Sequence, residues 1–365
     1  MKLGLAVEYA SRSVAIPIER IRRCEALGYD SVWTAEAYGS DAITPLAWIA
    51  AHTERIRLGT AVIQVAARSP AMTAMQLGTV DALAGGGRVI AGLGLSGPQI
   101  VEGWYGQPWG SPRDKLRDAT QILRKIFARE APVVHEGAEL SLPLPADAPG
   151  SAGMGKPLKS ILHFDPPPPI WHGTGAKEMV IQTAELADGW LPFGLRPGSF
   201  ETYRPWLEEG FRRAGGGKGF GDFEIQASVQ VRITDDVQAA LAAGKPFVAL
   251  YVGGMGHPKL NFHRKRMERE GWAEAAARIH ELFQAGRRDE AIAAVPDDYL
   301  DEGGLYGPPE RIRERWRKHW EPMPVDGLTV HTQQDEAFAL LAELAGTRDR
   351  QLAALAGTRD RAPSV

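Results

Sequence analysis

Gln226, Ser228, Gln230 and Arg232 alternate with Ala227, Val229, Val231 and Ile233. Alternation at period two puts the polar set on one face of a β-strand. If the apolar face packs on helices, the polar face lines an interior, where such groups are costly unless they bind something. Gln230 and Arg232 stand nearest the strand's carboxyl end and are candidate substrate contacts; structural pairing of Arg232 is the alternative. A second candidate is Trp171-His-Gly-Thr-Gly-Ala-Lys-Glu178, which runs from a strand into a helix. Free N–H groups at a helix start bind anions, and glycines let a phosphate approach. Gly173, Thr174, Gly175 and Ala176 are therefore a candidate phosphate cradle. Lys177 would oppose the helix dipole there unless an anion were bound; a solvated lysine is the alternative. Gly92-Leu-Gly-Leu-Ser-Gly-Pro-Gln99 suits close approach of backbone to a planar ring, or is a plain turn. Glu36, ending Val32-Trp-Thr-Ala-Glu36, is a candidate proton carrier with Tyr9, or one half of a structural pair. The glycine loop Tyr251-Val-Gly-Gly-Met-Gly-His-Pro258, with Asn261 and His263, offers a cover over a substrate, and His257 a contact to it; a surface loop is the alternative.

What is missing narrows the chemistry. The sequence has no zinc signature, P-loop or G-x-S-x-G elbow, and one cysteine, Cys24, inside an apparent helix. No metal site is expected. With hydrolase motifs missing, an organic cofactor has to carry the reaction. The net charge of −3 gives no basic footprint for nucleic acid. No apolar run reaches the roughly 18 residues of a membrane span, and the N-terminus does not read as a signal peptide. A cytoplasmic protein acting on a small-molecule or modified-peptide substrate is expected, without nucleic-acid or membrane partners, as a homo-oligomer.

These groups need a frame. Apolar runs at 2–9, 30–36, 56–64 and 88–95 alternate with helical patterns at 18–27, 45–52, 70–83 and 113–127. The last has apolar residues at 116, 119, 122, 123, 126 and 127, one face at the 3.6 period. Repeated strand–helix units predict parallel strands with right-handed crossovers. No G-x-G-x-x-G follows the first strand, which favours a barrel over a dinucleotide fold. The expected fold is thus an α/β (β/α)8 TIM barrel over 1–345, with catalysis at the carboxyl ends of its strands. Residues 130–169 break the rhythm and read as a lid or excursion; with 253–263 they are expected to build a wide mouth. The rhythm resumes at 170–173, 177–187, 189–193, 199–214 and 222–233. A helical insertion spans about 235–300, with a last strand at 328–332 and a last helix at 335–344. The tail, 346–365, contains most of a duplicated segment.

The strand ends resemble the luciferase-like superfamily, and within it the F420-dependent oxidoreductases of an actinobacterial type. The resemblance rests on Val32-Trp-Thr-Ala-Glu36, Leu58-Gly-Thr-Ala-Val62 with Arg68-Ser-Pro70, Ala84-Gly-Gly-Gly-Arg88, Gly92 to Gly106 and Ala187-Asp-Gly-Trp190. It implies a cis peptide between Ala61 and Val62 behind a deazaflavin ring, with Val62 and Gln64 flanking that ring. Ser96, Gly97 and Gln99 would touch the ring or ribityl chain, and 173–176 the phosphate. The implied cofactor is coenzyme F420, with FMN as the alternative. The implied reaction is hydride transfer to or from C=C, C=N or C=O. An FMN monooxygenase and a non-catalytic cofactor-binding barrel are the rival readings. One position departs: Ala37 stands where several relatives carry a histidine.

Overall fold

The computed structural model describes residues 1–8, 12–255 and 261–348. Eight parallel strands close on themselves: β1 Lys2–Ala6, β2 Ser31–Thr34, β3 Arg57–Thr60, β4 Val89–Gly94, β5 Ile170–His172, β6 Gly189–Trp190, β7 Glu224–Ile233 and β8 Gly327–His331. Closure is by β8 beside β1, with Leu5 opposite Val330. The sheet is a (β/α)8 barrel. Two short strands add to it: Ile63–Gln64 pairs with the end of β4, and Gly304–Gly307 with the upper half of β7.

The helices are α1 Ile18–Ala26, α2 Thr44–Ala50, α3 Pro70–Leu83, α4 Pro112–Ala128, α5 Lys177–Leu186, α6 Phe200–Ala214, α7 Val237–Ala249, α8 Phe262–Met267, α9 Ala273–Gln284, α10 Arg288–Ala293, α11 Asp297–Glu302, α12 Pro309–Arg315 and α13 Asp335–Ala345. Helix α3 starts where its chemistry dictates. Ser69 caps it by accepting from the Met72 N–H, and Pro70 occupies a position that has no N–H partner anyway. The predicted apolar face of α4 is buried, and the helix ends in left-handed Arg129. Cys24 is buried in α1, where loss of hydration pushes its thiol up to about 12. It packs and does not react.

Register carries one face around the whole barrel. Gly4 lies opposite Ser31, Ser31 opposite Arg57, Gly59 opposite Ile90, Gly92 opposite Trp171, Trp171 opposite Gly189 and Gln226 opposite Gly327. Trp33 and Trp171 meet inside at 5.4 Å and form, with Ile90 and Leu191, an apolar layer across the barrel. Below it, Arg57 plugs the amino-terminal end through Asp30 and Glu224, and Lys2 also holds Glu224.

The helical insertion sits over the carboxyl-terminal rim. Arg266 donates to the Phe193 carbonyl beyond β6, and Arg269 to the Gly175 carbonyl beyond β5. Buried Glu270 lies 3.4 Å from Arg196 and 3.5 Å from Arg266. The excursion at 130–169 differs from expectation. It connects α4 to β5, a helix-to-strand link, so it departs from and returns to the amino-terminal side. Asp118 on α4 accepts the backbone N–H groups of Glu139 and Leu140, and Phe164 packs on Phe127. It buttresses the outer wall of α3 and α4 and does not form the mouth. Of the tail that carries the duplicated segment, 349–365 lies outside the described residues.

Candidate active site

Above the tryptophan layer the strand ends differ by side. Ala35, Ala61, Gly94 and Gly173 stand at the ends of β2 to β5, so that each of these four strands ends in a residue with nothing larger than a methyl group. The Ala61–Val62 peptide is cis, as the resemblance implies. Val62 leans into space that only glycine leaves. A Cβ on Gly94 would lie 2.3 Å from Val62 Cγ2, and one on Gly173 2.7 Å from Val62 Cγ1. The bulge is thereby wedged between the ends of β4 and β5.

Glu36 is buried and pinned. Its carboxylate accepts the Ala42 N–H at 3.0 Å, the Gln64 N–H at 2.9 Å, and both Arg68 Nη groups at 2.9 and 2.7 Å. Gln64 Nε2 in turn donates to the Glu36 carbonyl. With N–H donors on both oxygens, including a bidentate guanidinium, Glu36 is built to position the Val62 bulge. The proton-carrier expectation gives way to the pairing alternative. Tyr9 lies outside the described residues, and so does His257. The loop at Ala37 is tied down by its carbonyl, which accepts from Tyr105 Oη at 2.9 Å.

Ser96 has φ 61°, a left-handed conformation costly for a residue with Cβ. Gly97 follows it, and a Cβ there would lie 2.6 Å from Gln99 Oε1. Gln99 itself is exposed, in the single turn Pro98–Val101. The phosphate candidate forms as a loop, 173–176, leading into α5, whose N-cap Ala176 makes no side-chain cap bond. Trp190 Nε1 donates to the Thr174 carbonyl, and Thr174 Oγ1 bonds Thr183 Oγ1. Nothing stands within 4 Å of a Cβ on Gly175. The loop is braced from below, and Arg269 of the insertion reaches its Gly175 carbonyl from above. His172, beneath it, is wholly buried against Thr120, and loss of hydration pulls its pKa down to about 3. That imidazole is a neutral packing element.

The polar residues of β7 divide by height. Gln226 is buried and donates to Thr329 Oγ1 on β8, whereas Gln230 and Arg232 are exposed at the rim. The inward reading of this face holds: a Cβ on Gly4 would lie 3.0 Å from Gln226 Nε2.

The luciferase-like monooxygenase sequence profile matches residues 5–326. The chain belongs to that family. Among its luciferase-like relatives, a Mycobacterium tuberculosis protein is 43% identical over 346 residues, 94% of this chain and 99% of that one. Its name assigns it, provisionally, to the coenzyme F420-dependent oxidoreductases. The coenzyme F420-dependent tetrahydromethanopterin reductase of Methanopyrus kandleri superposes with a TM-score of 0.71 at 22% identity, covering 94% of this chain and 97% of that one. The oxygenating constituent of 3,6-diketocamphane monooxygenase from Pseudomonas putida, solved with FMN, gives 0.64 at 16%, covering 95% and 98%. At such identities these two structures speak for the fold alone.

The motif Ala84-Gly-Gly-Gly-Arg88 proves structural, held by Asp81 just before it. Asp81 accepts three backbone N–H groups from Gly87, Arg88 and Val89, and Arg88 holds Thr53 and Ile56. Two residues went unnoticed in the sequence. Arg68 stands in the Arg68-Ser-Pro70 motif, but its partnership with Glu36 spans 32 positions and leaves no local signal. His331, ending β8, is half-buried, and loss of hydration pulls its pKa down to about 4. The signal for it was period two in 327–331, a strand too apolar to attract attention.

Proposed function

We propose that this chain is an F420-dependent oxidoreductase that transfers a hydride between the deazaflavin and an organic substrate. The observation that carries the reading is the coincidence of a pinned Val62 bulge, four strand ends with nothing larger than a methyl group, and a phosphate-sized loop at a helix start. These strand ends fit a flat ring, with Val62 behind it. Ser96 and Gly97 stand where a ribityl chain would pass. The N–H groups of 173–176 and the first turn of α5 would hold the phosphate. When bound, the deazaflavin supplies a hydride and little reactivity toward oxygen. The chain's own part is to orient, exclude water through the helical insertion, and stabilise charge on the substrate. The 43% identical relative supports F420 over FMN.

A fluorescence titration of the purified chain with coenzyme F420 and with FMN decides the cofactor. Tighter binding of F420 is expected. Preference for FMN, together with turnover that requires oxygen, would establish a monooxygenase; binding of neither would leave a non-catalytic barrel.

A further inference from the structure

The rim opposite the ends of β2 to β5 carries hydrogen-bond donors, and neither the family resemblance nor the cofactor explains them. Thr329 faces the interior because Gln226 bonds it there, and Gly327 faces the same way because a Cβ on it would lie 2.1 Å from Gln226 Oε1. Leu328 and Val330 belong instead to the helix-packed core. Period two then aims His331 inward at the top of β8. Register sets Gln230 of β7 directly beside it. Strands so paired lie about 4.8 Å apart. Among the described residues, no partner hydrogen-bonds the side chain of His331, Gln230 or Arg232. The frame just beyond them is stiff: Gln334 Nε2 donates to the Ile233 carbonyl, and Gln334 Oε1 accepts the Ile233 N–H, tying the end of β7 to the loop after β8.

Three donors therefore converge on one side: a carboxamide, a guanidinium and an imidazole. The imidazole is neutral at physiological pH, so it offers one N–H as a donor and does not act as an acid. Beyond the end of β6, toward the insertion, the surroundings are aromatic. Phe193, Phe247 and Phe262 are each about half exposed, with Tyr251 4.3 Å from Phe247 and His263 4.8 Å from Phe193.

We propose that Gln230 and His331 form an oxyanion hole, and that the substrate is an aromatic or bulky apolar carbonyl compound, either a ketone or aldehyde or an enone. With reduced deazaflavin as the donor, its C–H bond would break and the cofactor be oxidised by two electrons as hydride adds to the carbonyl carbon or, in an enone, to the β-carbon. A C–H bond forms, the π pair moves onto oxygen, and that oxygen afterwards takes a proton from water. Donors fixed in advance around the oxygen stabilise the charge as it develops. Arg232 adds a positive field above the pair. An imine, whose nitrogen is commonly already protonated, gains nothing from such a hole. The hydride source rests on the F420 reading; the hole itself does not.

The test uses the whole chain without cofactor and 4-nitrophenol, whose visible absorbance reports phenolate. Work is done at a pH where the free probe is mostly neutral. The wild-type chain is expected to bind the phenolate preferentially. His331→Phe and Gln230→Leu should each weaken phenolate binding about ten- to a hundred-fold, the size of one hydrogen bond to a charged oxygen. His331→Asn, which keeps a donor, should restore part of it. F420 affinity should stay unchanged in all three variants, and so should the melting temperature measured above about pH 7, where His331 is neutral in the folded and the unfolded chain alike. Binding of the neutral phenol, absence of binding, or variants without effect on phenolate would overturn the proposal. A chain that holds phenolate but not F420 keeps the hole and loses the cofactor reading.

Discussion

Glu36 shows what a single buried carboxylate can be for. Its side chain is almost closed to solvent, and that of Arg68 is 15% exposed, so neither charge can rehydrate if the other is removed. Breaking a buried pair by deleting one partner costs about 3–5 kcal/mol, because the remaining charge is left uncompensated. Arg68→Ala is expected to lose stability in that range by urea unfolding. Glu36→Gln keeps the volume and should lose less. Both should weaken F420 together, since Glu36 holds the Gln64 N–H two residues beyond Val62. A Glu36→Gln chain with normal stability and cofactor affinity but no turnover would return the carboxyl to the role of proton carrier.

At the scale of elements, the ends of β3, β4 and β5 work as one wedge. Gly94 and Gly173 contribute no side chain, and Val62 occupies what they vacate. Gly94→Ala forces a contact of 2.3 Å onto a side chain that is held on both sides. The expected cost is about 1–3 kcal/mol, the usual price of overpacking, with a larger loss of F420 affinity. Val62→Ala in the same chain removes the colliding methyl and should recover most of the stability; double-mutant unfolding measures this. If Gly94→Ala is neutral alone, the wedge is not what holds the bulge. The element scale also explains the misplaced lid. Connection type decides the face: a strand-to-helix link lies at the catalytic rim and a helix-to-strand link at the opposite one. The excursion at 130–169 is of the second kind and the insertion after β7 of the first.

For the whole molecule, the three most deeply buried imidazoles with depressed pKa among the described residues shape the response to acid. Loss of hydration holds His172 and His263 at about 3 and His331 at about 4, against an ordinary value of 6.5. The folded chain therefore favours the neutral rings. Unfolded, each ring takes up a proton below about pH 6.5. Stability is full above that pH and falls as pH drops, by about 1.4 kcal/mol per unit for each histidine. Urea midpoints measured from pH 7 down to about 5 should show an uptake approaching three protons on unfolding. His331→Asn should reduce that number by one. A flat midpoint across the window would mean that these rings are hydrated in the folded chain.

The sequence alone sufficed for whatever depends on near neighbours. Alternation at period two marked the polar face of β7, and the 3.6 period marked α4. The order of strands and helices implied the barrel, and helix-start chemistry singled out 173–176. The tertiary structure alone decided what depends on strands closing into a ring. Glu36 acquires Arg68 only when β2 and the loop after β3 lie side by side. Val62 finds Gly94 and Gly173 across two strand boundaries, and His331 comes beside Gln230, 101 residues earlier in the chain, through register. Periodicity is a property of a few consecutive residues, whereas register is set by packing and hydrogen bonding between segments far apart in the chain, so the frame could be read locally and the partnerships within the site could not.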